Sequence, residues 1–170
     1  MKNWGLTFGG GKEGLKGYTD ADGASQEHRR AISGYAFIIN SGTVSWSSHK
    51  QELVTLSTTK AEYVASTHAA KEAIWLCNFI GEVFLPLVEP TILHCDNQST
   101  LAIATNGNFH ARTKHIDIRY HFICFIIKNG SIKLVYCPTD DMTTDTLTKA
   151  LPSLKAKHFT ASLGLQPTSV

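Results

Sequence analysis

The stretch Ser33–Ser48, "SGYAFIINSGTVSWSS", decides the fold. Two runs rich in β-branched and aromatic residues flank the short glycine-containing break Asn40-Ser41-Gly42, the pattern of an antiparallel hairpin. Upstream, "GLKGYTDA" (14–21) reads as a further strand, joined to the hairpin by the polar loop "DGASQEHRR" (22–30). The chain is therefore expected to open as a three-stranded meander.

Downstream the period changes. From Thr59 to about Phe84, Ala61, Ala65, Ala69, Ala73, Leu76 and Ile80 recur at three- and four-residue steps, which predicts a long helix stopped by Pro86. "TILHC" (91–95) is a short buried-type strand ending at Asp96, and "NQSTLAIAT" (97–105) has helical spacing up to the breaker "NGN". A further helix is predicted from about His115 to Lys128, with Ile116, Tyr120, Ile123 and Ile127 on one face and Asn129-Gly130 as its stop. "SIKLVYC" (131–137) alternates as a strand until Pro138, and a last helix is expected from about Asp141 to Leu151. Hairpin-linked strands followed by strands reached through helices imply an α/β protein, a mixed sheet with helices packed on its faces.

The 170 residues, 42% of them hydrophobic, suffice for one domain with a real core and are too few to expect two. A single domain over 1–170 is expected, with its core at about 5–152 and a C-terminal tail over 153–170. No run of about 18 apolar residues occurs, and glycines break the N-terminal "MKNWGLTFGGGKEG", so neither a membrane span nor a secretion signal is expected. Cys77, Cys95, Cys124 and Cys137 show no metal-finger spacing and read as reduced core residues. A net charge of +2 is compatible with a polyanionic partner but far below that of a polybasic nucleic-acid binder.

Four acids stand where such elements begin or end. Asp20 closes the first strand, Asp96 follows the fourth, Glu62 lies in the first turn of the long helix and Asp145 lies early in the last. Brought to one sheet edge they would raise each other's pKa unless a cation neutralised them, and hard divalent cations such as Mg²⁺ prefer such oxygen ligands. Each also has a plain reading. Thr59 to Glu62 fits a capping box, Asp96 could cap the next helix, Asp145 could pair with Lys149 at i+4, and Asp20 could brace a turn. Asp22, on the same strand face as Asp20, is the runner-up for its role.

The segments "GYTDADG", "ISGYAFIINSGTVSWSSHKQELVTLSTTKAEYVA", "HCDNQSTLAIA", "HARTKHIDIRYHFI" and "TDDMTTDTLTKAL" together resemble the ribonuclease H domain of copia-type (Pseudoviridae-like) retrotransposon Pol polyproteins, in order and over roughly residues 5–152. The resemblance implies a ribonuclease H-like fold, a five-stranded mixed sheet with three antiparallel strands and then two parallel ones, flanked by helices. It implies a quartet of acids binding two Mg²⁺ ions, with Mn²⁺ as substitute, and carries those roles to Asp20 of "YTDAD", Glu62 of "KAEY", Asp96 of "HCDN" and Asp145 of "TTDTLTK". The sequence departs from the family pattern at Gly23 and Lys60, which leaves the quartet whole, and "CPTDDM" lacks the histidine that relatives carry before the last helix.

The implied activity is two-metal-ion hydrolysis of the RNA strand of RNA–DNA hybrids during reverse transcription, leaving 5′-phosphate and 3′-hydroxyl ends. Implied partners are the hybrid and the reverse transcriptase domain of the same polyprotein; the implied place is inside the cell, in the cytoplasm, in virus-like particles or in the nucleus. Arg112, Lys114 and His115 precede a helix start and are expected at the hybrid's backbone. Asn97 and Gln98, flanking a proposed ligand, are expected at its sugar edges, with Ser47 and Ser48 as weaker candidates and "HRR" (28–30) unassigned. The alternative reading is a catalytically silent module of the same fold that binds nucleic acid or connects polyprotein segments. An integrase-like core is disfavoured by "TKHID" and "LTKAL", and a serine or cysteine hydrolase by the lack of a GxSxG elbow.

Overall fold

The computed structural model describes residues 3–9, 14–22, 30–52, 54–55, 57–84, 89–105 and 117–168, with the side chains of 117–121 left out. Its elements are β1 (Trp4–Leu6), β2 (Lys16–Asp22), β3 (Ile32–Ile39), β4 (Gly42–Lys50), α1 (Thr58–Val83), β5 (Thr91–Cys95), α2 (Gln98–Thr105), α3 (Asp117–Lys128), β6 (Ile132–Tyr136), a 3₁₀ turn (Thr139–Asp141), α4 (Asp145–Thr148), α5 (Ser153–Ser162) and β7 (Leu165–Pro167).

The main sheet has the order β4-β3-β2-β5-β6. β2, β3 and β4 are antiparallel, and β5 and β6 run parallel to β2. The β3–β4 hairpin turns on Asn40 and Ser41, whose φ of 48° and 67° give the left-handed pair that a tight two-residue connection demands. The parallel strands need long crossovers, supplied by α1 and by α2 with α3.

Ala61, Ala65, Ala69 and Ala73, each at most 1% exposed, form the face with which α1 meets the sheet. The small side chains let the helix approach closely, and Phe37, Tyr63, Leu93, Ile123 and Ile132 complete the core. Gly17 belongs to this face, since a Cβ there would lie 2.5 Å from Phe37 Cε1 and 2.9 Å from Leu93 Cδ1. By alternation Asp20 points to the opposite face, toward α4.

The C-terminal part differs from the sequence expectation. In place of one helix over 141–151 there is a 3₁₀ turn, the single-turn α4, and then α5 starting after Pro152. Pro152 sits at the α5 N-cap, where its missing N–H costs nothing but where it cannot continue a helix begun at Asp145. Phe159 of α5 is fully buried, and β7 pairs antiparallel with β1 (Trp4↔Pro167). The four cysteines are free, with Cys95, Cys124 and Cys137 buried and Cys77 half-buried. Among the described residues no helix is long and apolar enough to cross a membrane.

Candidate active site

β2 and β5 run parallel with Thr19↔Cys95 as their last paired position, so Asp20 and Asp96 follow at the carboxyl ends of adjacent strands. α4 brings Asp145 to the same place. Oxygens of Asp20, Asp96 and Asp145 lie within 4.8 Å of one another. Asp20 and Asp145 are 1% and 0% exposed, and Asp96 is half-buried at the rim.

Glu62 arrives from α1, on the other face of the sheet. Among the described residues no strand pairs with β2 on its β5 side beyond Thr19↔Cys95, and the Ala21 N–H donates to Glu62 Oε2 at 3.1 Å. Glu62, Cys95 and Asp96 form a second group with ligand atoms within 4.8 Å. Burial pushes the Cys95 thiol up to about 12, and a hard divalent ion prefers the carboxylate oxygens to its sulfur. Asp96 belongs to both groups.

Two hydroxyls hold the acids in place. Thr148 Oγ1 donates to Asp20 Oδ2 in a short hydrogen bond. Thr139 Oγ1, in the 3₁₀ turn after β6, donates to Asp96 Oδ2 at 3.0 Å. Gly34 pairs with Asp20 across the β2–β3 ladder and makes room for α4. Asp145 faces two ammonium groups, Lys149 Nζ 2.9 Å from Oδ1 and Lys155 Nζ 3.9 Å from Oδ2.

The electrostatics follow from burial. Desolvation raises Asp20 from 3.8 to about 6; Thr148 and Lys149 oppose the rise, while Asp145 and Asp96 add to it. Desolvation, then Asp20 and Asp96, raise Glu62 from 4.5 to about 9, against the Ala21 N–H and Lys149. A divalent cation beside Asp20 and Glu62 would favour their charged forms. An all-oxygen donor set of this kind fits a hard divalent ion such as Mg²⁺.

Some plain readings of these acids are replaced. Ser57, not Thr59, caps α1, accepting from Lys60 N at 3.3 Å, and Glu62 turns to Ala21 instead of closing a capping box. Asn97, not Asp96, caps α2, its Oδ1 accepting from Thr100 N at 2.9 Å. The Asp145–Lys149 pair at i+4 is present. Asp22 ends β2 half-buried and lies outside both carboxylate groups. Gln98 is exposed, and Ser48 Oγ donates to the Leu147 carbonyl at 2.5 Å. Arg112, Lys114 and His115, like His28 and Arg29, lie outside the described residues.

Thr139, Thr148, Gly34 and Lys155 escaped the sequence reading. A threonine far along the chain carries no sign of the carboxylate it will meet, and Lys155 lies beyond the expected end of the core. A cavity of about 610 Å³ lies between β2 and α5, lined by Lys16, Tyr18, Asp141, His158 and Gln166 among others. None of the four acids lines it, so chemistry rather than concavity locates the site.

The strand order, the helices on both faces and the acids at the carboxyl ends of β2 and β5 define a ribonuclease H fold. The structure of LC11-RNase H1 in complex with RNA/DNA hybrid superposes with a TM-score of 0.58 at 16% identity, covering 79% of this chain and 94% of that one. Within that fold, the chain is homologous to a segment of retrovirus-related Pol polyproteins from plant transposons. It is 44% identical over 151 residues to that of transposon TNT 1-94 of Nicotiana tabacum, covering 88% of this chain and 11% of the relative. It is 35% identical over 152 residues to that of transposon RE1 of Arabidopsis thaliana, covering 89% of this chain and 10% of the relative. The chain thus spans about a tenth of the length of the curated relatives it matches. No protein-family model matches it.

Proposed function

We propose that the chain is a metal-dependent endoribonuclease that hydrolyses the RNA strand of RNA–DNA hybrids, the ribonuclease H activity of a reverse-transcribing element. The observation that carries this reading is the convergence of Asp20, Asp96 and Asp145, joined through Asp96 to Glu62, at one end of β2 and β5. The hybrid bound by LC11-RNase H1 and the transposon polyproteins similar to this chain support the choice of substrate.

Asp20, Glu62, Asp96 and Asp145 would hold two Mg²⁺ ions, with Mn²⁺ as substitute. Bound there, divalent ions supply Lewis acidity, a lowered pKa for water and neutralisation of phosphate charge. The protein's own part is to fix the donors. Thr148 orients Asp20, Thr139 orients Asp96, and the Ala21 N–H orients Glu62, so little reorganisation remains when charge develops on the phosphate. Hydrolysis then breaks the bond to the 3′ oxygen, leaving a 3′-hydroxyl and a 5′-phosphate. Arg112, Lys114 and His115 serve the hybrid's backbone, and Asn97 and Gln98 its sugar edges, in this reading. The reverse transcriptase domain of the same polyprotein is its partner, and it acts inside the cell.

The test is cleavage of a labelled RNA–DNA hybrid with Mg²⁺ or Mn²⁺, beside single-stranded RNA, duplex RNA and an Asp96→Asn control. Hybrid-specific, metal-dependent cutting, reduced at least about 100-fold in the control, is the expected outcome. Hybrid binding without cutting would instead favour the silent module.

A further inference from the structure

Asp145 is completely buried, yet both of its oxygens face an ammonium group from its own C-terminal side. Lys149 Nζ lies 2.9 Å from Oδ1 and Lys155 Nζ 3.9 Å from Oδ2. The two contacts are unequal. Lys155 also lies 3.1 Å from Asp140 Oδ1 and 5.4 Å from the centre of the Phe159 ring, so it has other company. Lys149 is directed into the acid cluster. Burial works against its charge, but Asp145, Asp20 and Asp96 together hold the ammonium above its ordinary pKa. Its charge is felt in turn at Asp20 of β2 and at Glu62 of α1.

We infer that Lys149 is the internal counter-cation of the metal-free acid cluster, occupying on Asp145 an oxygen that a divalent ion needs, so that the Lys149–Asp145 pair and metal binding exclude one another. This rests on the metal-ion reading above. A buried carboxylate offers a limited set of lone pairs, and an ammonium 2.9 Å from one of its oxygens crowds a position a metal would use. Lys149 is 34% exposed on a flexible four-carbon stem, so it can leave toward solvent without disturbing α4. The lysine keeps the acids together before the metal arrives, at the cost of weakening the metal's hold. Two species that compete for one site are linked, and removing one tightens the other.

The experiment titrates Mg²⁺ calorimetrically into the full chain as wild type, Lys149→Met, Lys149→Gln and Lys149→Arg, and records each thermal midpoint in chelator and in saturating Mg²⁺. With Lys149→Met or Lys149→Gln, Mg²⁺ binding is expected to tighten by about tenfold. The midpoint should fall in chelator and return to the wild-type value in saturating Mg²⁺, whereas Lys149→Arg should keep the wild-type midpoint in chelator. A merely structural ion pair would lower the midpoint equally in both conditions. Wild type that binds Mg²⁺ while neither neutral variant binds it more tightly overturns this inference alone; wild type that binds no Mg²⁺ overturns the metal reading and this inference with it.

Discussion

Gly34 sits directly opposite Asp20 across the β2–β3 ladder, and it is the missing side chain of Gly34 that lets α4 reach the acid. A Cβ at position 34 would lie 2.8 Å from Thr148 Cγ2 and 3.0 Å from Leu147 Cβ. Gly34→Ala should therefore push α4 outward, carrying Thr148 and Asp145 with it. We expect a loss of about 1–3 kcal/mol in stability from overpacking, together with weaker Mg²⁺ binding. Denaturant unfolding and calorimetry measure the two effects, and unaltered Mg²⁺ affinity would show that α4 does not depend on this gap.

Thr148 tests the orientation of Asp20 without adding volume. Thr148→Val keeps the shape but removes the donor, leaving Asp20 Oδ2 buried without its hydroxyl partner. The cost should be about 1–3 kcal/mol in the metal-free protein, and Thr148→Ser should recover most of it. If the valine variant matches wild type in denaturant midpoint and in cleavage rate, the hydroxyl has no part in holding the acid.

The raised acids make metal-free stability depend on pH in a definite direction. Asp20 goes from 3.8 to about 6 and Glu62 from 4.5 to about 9, so both bind their protons more tightly in the folded than in the unfolded chain. Their contribution is fully present below about pH 4, and it is lost as pH rises through about 6 and then about 9. In chelator, Glu62→Gln should therefore lose less of its thermal midpoint than wild type between pH 5 and about 9. Mg²⁺ binding near neutrality should release protons, read from calorimetry in buffers of different ionisation enthalpy. A wild-type slope identical to that of Glu62→Gln would contradict the assignment.

Arg112 and Lys114 should contribute charge to hybrid binding. Replacing either with alanine should lower the slope of log affinity against log salt by about one, and weaken binding alike for hybrids of different sequence. Filter binding at several salt concentrations decides this, and an unchanged slope would remove them from the interface.

What the sequence disclosed was what period and punctuation can encode. The alanine ladder of α1 and the Asn40-Ser41 hairpin announced themselves, because each is a local pattern with one geometric solution. The three-residue strands "WGL" and "LQP" could not, since each is too short to alternate and exists only through pairing with the other. The single last helix that the spacing of "DTLTKAL" suggests is split at Pro152, leaving one turn bearing Asp145. The same holds within the site. The acids could be nominated from their places at element ends, whereas Thr139 and Thr148 became visible only once strands distant in sequence were laid side by side.

The pairing of Trp4 with Pro167 has an architectural consequence. Adjacent strands lie about 5 Å apart, so any longer chain carrying this domain would pass in and out through one doorway. Such a lobe can be spliced into a polyprotein, or trimmed from it, without rerouting what lies on either side.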